Sequence, residues 1–224
     1  MAQTTSTIQF FTAFHPSDIW FLAEAAGRTL LIATLSVSVG TVLGIFFGWV
    51  LSVSRWVGAS SLGLILDGFR SVPLIIQLIL FFNFFPIIGL PLDPFEAGTI
   101  VLVFYTSALV ASVARGGIEA VNTTTRRAGR SLGLTYWQDL RYIVFPIGMR
   151  AVLPSWTGVA LGVLKDSALV SVLGYVELLR ASQILITRTQ QPFLILAVAG
   201  AFYFALSFPI ARITERLERR WQDD

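Results

Sequence analysis

The sequence predicts an all-α integral membrane protein with five transmembrane helices, its amino terminus outside and its carboxyl terminus inside. Apolar residues make up 55% of the chain and charged residues only 13%. They gather into runs approaching the roughly 20 residues a helix needs to cross the hydrocarbon core. The arginines then set the orientation. With the amino terminus outside, the inner segments hold Arg55, Arg70, Arg115, Arg126, Arg127, Arg130, Arg141, Arg150, Arg212, Arg216, Arg219 and Arg220, and the outer ones hold Arg28, Arg180 and Arg188. That imbalance obeys the positive-inside rule, and Asp93 and Glu96 suit an outer connection.

In chain order, residues 1–28 lack the basic start and the separate cleavage site of a signal peptide, so they are expected to remain as an outer, interfacial segment. Ser17 or Asp18 is placed to cap a short helix through Ala26, with Trp20 and Phe21 at the interface. The membrane domain then covers residues 29–214. Its first span is predicted at Leu30–Ser54, where Ser36, Gly40, Gly44, Gly48 and Ser52 form one narrow stripe that lets another backbone approach. Such a stripe fits packing within or between subunits better than contact with a substrate. The second span is predicted at Ser71–Ile88, with Pro73 and Pro86 near its ends. The third is predicted at Thr99–Ala114, the fourth at Ser155–Val176 and the fifth at Phe193–Ile213. A tail of residues 215–224 alternates acid and base, as a solvated helix end does.

Between the third and fourth spans lies a basic cytoplasmic loop, Arg115–Pro154, with the pattern of two short capped helices. Gly133 suits an αL stop, and Thr135 with Gln138 forms a T-x-x-Q capping box. Pro146 disfavours helix at Phe145 and is expected to end the second helix there. Leu132, Leu134, Trp137, Leu140 and Ile143 are candidates for exposed apolar contacts among six arginines and only two acids, Glu119 and Asp139. The loop reads as a docking surface.

The sharpest chemical signal inside a span is Lys165-Asp166, placed near the middle of the fourth helix. A charge there costs roughly 2.5–3.5 kcal/mol on insertion scales, so a polar cavity or mutual pairing is expected. Neighbouring helical residues point about 100° apart, so Asp166 can face a pathway while Lys165 turns elsewhere. Gly158, Gly162 and Asp166 share one side, with Ser167 and Ser171 beside them. Asp166 suits an ammonium group and Ser167 a neutral contact. The same residues would serve equally as a buried ion pair or cap. Gln77 and Thr106, with Asn83 and Ser107, either line that cavity or join helices through hydrogen bonds.

Several functions are absent from the pattern. The only lysine, Lys165, follows Val163-Leu164, so there is no phosphate loop, and no zinc-protease or nucleophile-elbow motif occurs. With no cysteine and one histidine, no metal site is expected. The positive charge follows membrane topology and gives no support to nucleic-acid binding.

Ala128, Gly133, Ile143 and Pro146 fall at the fixed positions of the EAA loop of bacterial ABC-importer permeases. Tyr105-Thr106-Ser107-Ala108, Arg115-Gly116-Gly117-Ile118, Phe69-Arg70 with Pro73 and Gln77, and Leu164 to Val170 (L-K-D-S-A-L-V) resemble the polar amino acid branch of that family over roughly residues 25–220. The chain departs from the family in three places. Arg127 stands at the motif's Glu, Gly129 at its second Ala, and Ser112 at a site where these permeases often carry Glu. An atypical half of a heterodimer and neutral drift both account for them, and homodimer and heterodimer stay open.

The resemblance implies a type I ABC importer permease in the bacterial inner membrane, translocating a polar amino acid by alternating access. ATP and Mg would be bound by two separate ATPase subunits, which engage the EAA coupling loop at Arg127, Ala128, Gly129, Leu132, Gly133, Leu134, Trp137, Leu140, Ile143 and Pro146. A second permease subunit and a periplasmic or extracellular solute-binding protein would complete the system. The Lys165-Asp166-Ser167 segment would lie beside the pathway. From the residues alone, a channel-like or scaffold protein and a membrane-embedded lipid enzyme using Asp166 remain alternatives, although neither explains the loop.

Overall fold

One uninterrupted helix of 38 residues, α1 (Pro16–Val53), opens the fold. It merges what the sequence suggested were a short interfacial helix ending at Ala26 and a separate first span. No proline or turn pair separates them, and Gly27 alone costs a helix only about 1 kcal/mol. At about 1.5 Å per residue α1 is about 57 Å long, well beyond the hydrocarbon thickness. The structure, a computed structural model, describes residues 13–53 and 61–222. Ser54, Arg55, residues 1–12, and Asp223 and Asp224 therefore lie outside the described residues.

The small-residue stripe of α1 receives α4 (Pro94–Ala120). A β-carbon at Gly40 would come within 2.6 Å of the Thr106 β-carbon, one at Gly44 within 2.5 Å of the Val110 β-carbon, and one at Gly48 within 2.6 Å of the Ala111 carbonyl oxygen. Three glycines thus admit three successive ridges of α4, and the stripe serves packing within the chain. α4 begins five residues earlier than the predicted third span, because Asp93 and Glu96 form a reciprocal capping box with Pro94 at the first turn. It also runs six residues further, so Arg115 is helical and paired to Glu119 at 2.7 Å.

The second span is bent. α2 (Gly63–Ser71) and α3 (Leu74–Ile87) meet at 110° around Val72 and Pro73. Pro73 has no N–H to give the Phe69 carbonyl four residues back. The Gln77 side-chain amide replaces it, donating to Phe69 O at 2.8 Å and Val72 O at 2.7 Å. A stack of Phe69 on Phe81 and Phe104 closes the inside of the bend.

After α4 come α5 (Thr123–Ser131), α6 (Tyr136–Asp139), a π-helical turn (Leu140–Val144) and α7 (Phe145–Asp166). The expected stop at Phe145 does not occur. The π turn carries the chain through Phe145, whose N–H reaches back to Leu140 O, and Pro146 falls in the first turn of α7, where prolines are tolerated. The fourth span therefore starts before Ser155. α7 gives way at Asp166 to a 3₁₀ segment (Ser167–Leu173), ended by Gly174 at φ +98°. Lys165 and Asp166 consequently sit at the α-to-3₁₀ junction near the end of the span rather than at its middle.

A helix that the hydropathy pattern did not reveal, α8 (Leu178–Thr189), follows. Glu177 caps it, accepting from the Leu179 and Arg180 N–H groups at 2.8 Å each and from the Tyr203 hydroxyl at 3.2 Å. Burial pushes the Glu177 carboxyl up, while these hydrogen bonds pull it down. α8 is locked to α1 by an ion pair between Asp18 and Arg188 and by the Leu178 N–H donating to Thr29 Oγ1 at 3.0 Å. Leu22, Ala25, Leu178, Leu185 and Ile195 form a core beneath it. The last helix, α9 (Pro192–Gln222), passes through residue 214 without a break. Among the described residues, four helices are long and apolar enough to cross a membrane, five if the bent α2–α3 pair counts as one span.

Candidate coupling loop and substrate pathway

α5 and α6 form a hairpin that projects from the ends of α4 and α7. Asn122 caps α5, its side-chain oxygen accepting from the Thr124 N–H at 2.8 Å. The predicted stop is present: Gly133 has φ +88°, its N–H donates to Arg130 O, and the Leu134 N–H donates to Gly129 O. This is a Schellman closure, and only a residue tolerant of the left-handed region fits it. The Thr135–Gln138 capping box is also present.

The hairpin is held shut by a residue whose role the charge count had hidden. Asp139 is fully buried, and its Oδ2 accepts from Arg126 Nε at 3.0 Å and Nη2 at 2.9 Å, with Arg130 Nη2 at 3.5 Å. Two of the loop's arginines thus neutralise its buried acid, one turn apart on α5. Arg127 projects outward from the same helix. Gly129 is buried, and a β-carbon there would strike the Ile143 δ-methyl. Glycine at the motif's second Ala position lets Ile143 close over α5.

The apolar candidates divide in two. Leu132 is 86% exposed and Trp137 65% exposed, and both stand out from the hairpin. Leu134, Leu140 and Ile143 are half-buried and pack inside it, contrary to the expectation that all five would be displayed. Ala128 and Pro146 are exposed.

Trp49, near the end of α1, was read only as part of a span. Its indole N–H donates to the Tyr136 hydroxyl at 3.0 Å, and its ring lies 5.7 Å from that of Trp137. A tryptophan at a span end signals an interface, but its contact with a residue 87 positions away was not readable locally.

The predicted pathway residues are not brought together. Ser167 is buried and donates to Leu164 O at 2.8 Å. Thr106 is buried under Gly40, and Gln77 braces the α2–α3 bend. Lys165 is exposed, and Asp166 is half-buried at the helix junction. Among the described residues Asp166 has no hydrogen bond and no ion pair within 4 Å, so Lys165 does not neutralise it by contact. Gly158 and Gly162, two turns and one turn before Asp166, meet no atom within 4 Å of a β-carbon position. Among the described residues, this strip of α7 is therefore left open. Ser112 accepts from Arg70 Nη1 at 2.6 Å, and Asp67 lies 3.5 Å from the same arginine.

A family model described as "Binding-protein-dependent transport system inner membrane component" matches residues 40–223. The chain belongs to that family. This permease is 29% identical to the glutamine transport system permease protein GlnP of Escherichia coli (strain K12), over 92% of its own length and 97% of the relative's. It is 30% identical to the probable glutamine ABC transporter permease protein GlnM of Bacillus subtilis (strain 168), over 86% and 89% respectively. Among solved structures it resembles a chain of an amino acid ABC transporter crystallised with histidines, with TM-score 0.81, 30% identity and coverage of 89% of this chain and 94% of that one. A chain of the MetNI methionine ABC transporter in an inward-facing form shares the fold, with TM-score 0.80 at 19% identity and coverage of 92% and 99%.

The permease is thus a type I ABC-importer membrane subunit of the inner membrane, and ATP hydrolysis belongs to a separate subunit. The channel, scaffold and lipid-enzyme alternatives fall away. Its transport system includes a binding protein and an ATPase.

Proposed function

We propose that the permease carries a polar amino acid inward as one of two membrane subunits, and that the α5–α6 hairpin is where an ATPase subunit grips it. The names of the glutamine-permease relatives support the substrate class. The observation that carries the coupling reading is the hairpin itself: it is stapled by a buried ion pair, yet it presents Leu132 and Trp137 bare on its surface. Exposed aromatic and leucine side chains on a preorganised scaffold suit burial in a partner's groove. Trp49 ties the hairpin to α1, so a pull on it is transmitted to a helix spanning the whole membrane.

Asp166 is the proposed ammonium contact in the pathway, with Lys165 beside it at the helix junction. Ser167 is buried next to Asp166 and turned to the Leu164 carbonyl, while Gln77 and Thr106 serve the α2–α3 bend and the α1–α4 packing. The open strip of Gly158, Gly162 and Asp166 fits a cavity shared with a second permease subunit. Residues 1–28 act at the periplasmic face, residues 29–214 form the membrane domain and residues 215–224 extend into the cytoplasm. Both a homodimer and a heterodimer with a partner carrying the standard EAA loop satisfy this arrangement.

In this orientation Asp93 faces outward and the hairpin inward. Asp93→Cys is expected to react with a membrane-impermeant maleimide added to intact cells, and Gln138→Cys only after the membrane is opened. Native cysteine is absent, so the unsubstituted permease contributes no label of its own. Reverse labelling would overturn the N-out, C-in arrangement.

A further inference from the structure

Of the arginines assigned to the outer face, two are already satisfied. Arg28 is paired to Glu24 at 2.6 Å, and Arg188 is paired to the buried Asp18. Arg180 has no acid within ion-pair distance among the described residues, and its guanidinium reaches only the Gln183 amide oxygen, at 3.3 Å. It borders a depression of about 430 Å³ between α3, the 3₁₀ segment and α8, lined also by Ser171, Gly174 and Gln183, with Leu169 and Val172 along one wall. The polar side chains in that lining are the Arg180 guanidinium, the Gln183 amide and the Ser171 hydroxyl, and the lining contains no acid. Each can donate a hydrogen bond, so the site complements an anion.

The 3₁₀ geometry links this depression to Asp166. Side chains three apart eclipse on such a helix, so Asp166, Leu169 and Val172 form one row, rising about 12 Å over six residues at about 2.0 Å each. An arginine without an acid partner stands at one end of the row and a carboxylate without a partner at the other, with an apolar wall between. Glu177 does not fill the arginine's need, because it is buried under Thr29, Tyr203 and the first N–H groups of α8.

The geometry points to a reception site at the outer mouth, in which Arg180, Gln183 and Ser171 take the α-carboxylate of an amino acid before its ammonium group passes to Asp166. This inference rests on the importer reading above. The chain's lack of cysteine allows a test that does not depend on transport. Ser171→Cys is introduced into the assembled transporter, reconstituted in vesicles with its ATPase and second permease subunit, and its reaction rates with an anionic and a cationic methanethiosulfonate reagent are compared. The anionic reagent should react faster by about ten-fold, and Arg180→Gln should bring the ratio to about one. Gln183→Cys provides a second reporter should Ser171→Cys fail to assemble.

A mixture of polar L-amino acids should slow the labelling, while the same mixture as α-carboxamides should not. A ratio indifferent to Arg180, or equal protection by acids and amides, would overturn the proposal. Protection by substrate-free binding protein alone would also overturn it, making the patch a protein contact. Uptake of the same amino acids by wild-type vesicles checks the importer reading separately: uptake with no Arg180-dependent labelling removes the reception site and leaves the importer standing.

Discussion

Asp139→Ala is expected to abolish coupling while leaving the membrane spans inserted. Removing one partner of a buried ion pair costs about 3–5 kcal/mol, because the remaining charge is stranded. Arg126 keeps only 22% of its side chain exposed, so it cannot fully recover its hydration without opening the hairpin. Spread over the ordering of α5 against α6, even the lower figure corresponds to about two powers of ten in the population of the closed form. Amino acid uptake and co-purification of the ATPase should fall together, with the permease still present in the membrane fraction. Asp139→Leu combined with Arg126→Leu should recover much of the assembly, since replacing both partners with apolar residues is close to neutral. Failure of that double variant, with the hairpin folded, would show that the Arg126–Asp139 pair does more than hold the loop shut.

The second large effect is expected at Asp166. Asp166→Asn preserves shape and most hydrogen bonding but deletes the charge, so loss of a charge-assisted contact of about 1.5–3 kcal/mol should reduce uptake by roughly ten- to a hundred-fold. Lys165 offers the competing explanation, in which the aspartate only balances its neighbour. Addition of Lys165→Gln to Asp166→Asn separates the two. The absence of a close Lys165–Asp166 pair in the structure predicts that the double variant stays defective despite normal assembly and ATP binding. Restoration to near wild-type uptake would move Asp166 from the pathway to the scaffold.

Local rules read the hairpin well, because its turn chemistry lies within a few residues. Gly133 and the Thr135–Gln138 box needed no tertiary contact to be recognised. The same kind of signal was present in Asp93-Pro94-Phe95-Glu96, but hydropathy set the start of the third span at Thr99, inside the apolar window, and the capping box outside it was passed over. Pro146 shows the opposite failure. The rule that the residue before a proline avoids helix is a preference, and a π turn backed by the packing of Val144 and Gly148 overrode it.

Non-local partners were the least legible. The bend at Pro73 is stabilised by Gln77, whose polarity looked like a pathway signal but answers the carbonyls that the proline leaves bare. Asp18 and Arg188 are 170 residues apart, and nothing in either neighbourhood names the other. α8 escaped notice because it is too short and too polar to register as a span, although Glu177 and the spacing of Leu178, Ala181, Ser182 and Leu185 mark a capped amphipathic helix. The motif positions thus gave the family, while the division between Leu132 and Trp137 outside and Leu134, Leu140 and Ile143 inside required the fold.

The most direct test of the central claim is accumulation of labelled polar amino acids in proteoliposomes holding the complete transporter, with binding protein outside the transporter's outer face and ATP supplied to its ATPase. The wild-type complex should concentrate substrate only when ATP is hydrolysed. Trp137→Asp, which puts an unpaired charge into the proposed ATPase contact, should abolish accumulation although the permease remains inserted. Accumulation without ATP, or undiminished ATP-driven uptake by an assembled Trp137→Asp complex, would contradict transport coupled through the α5–α6 hairpin.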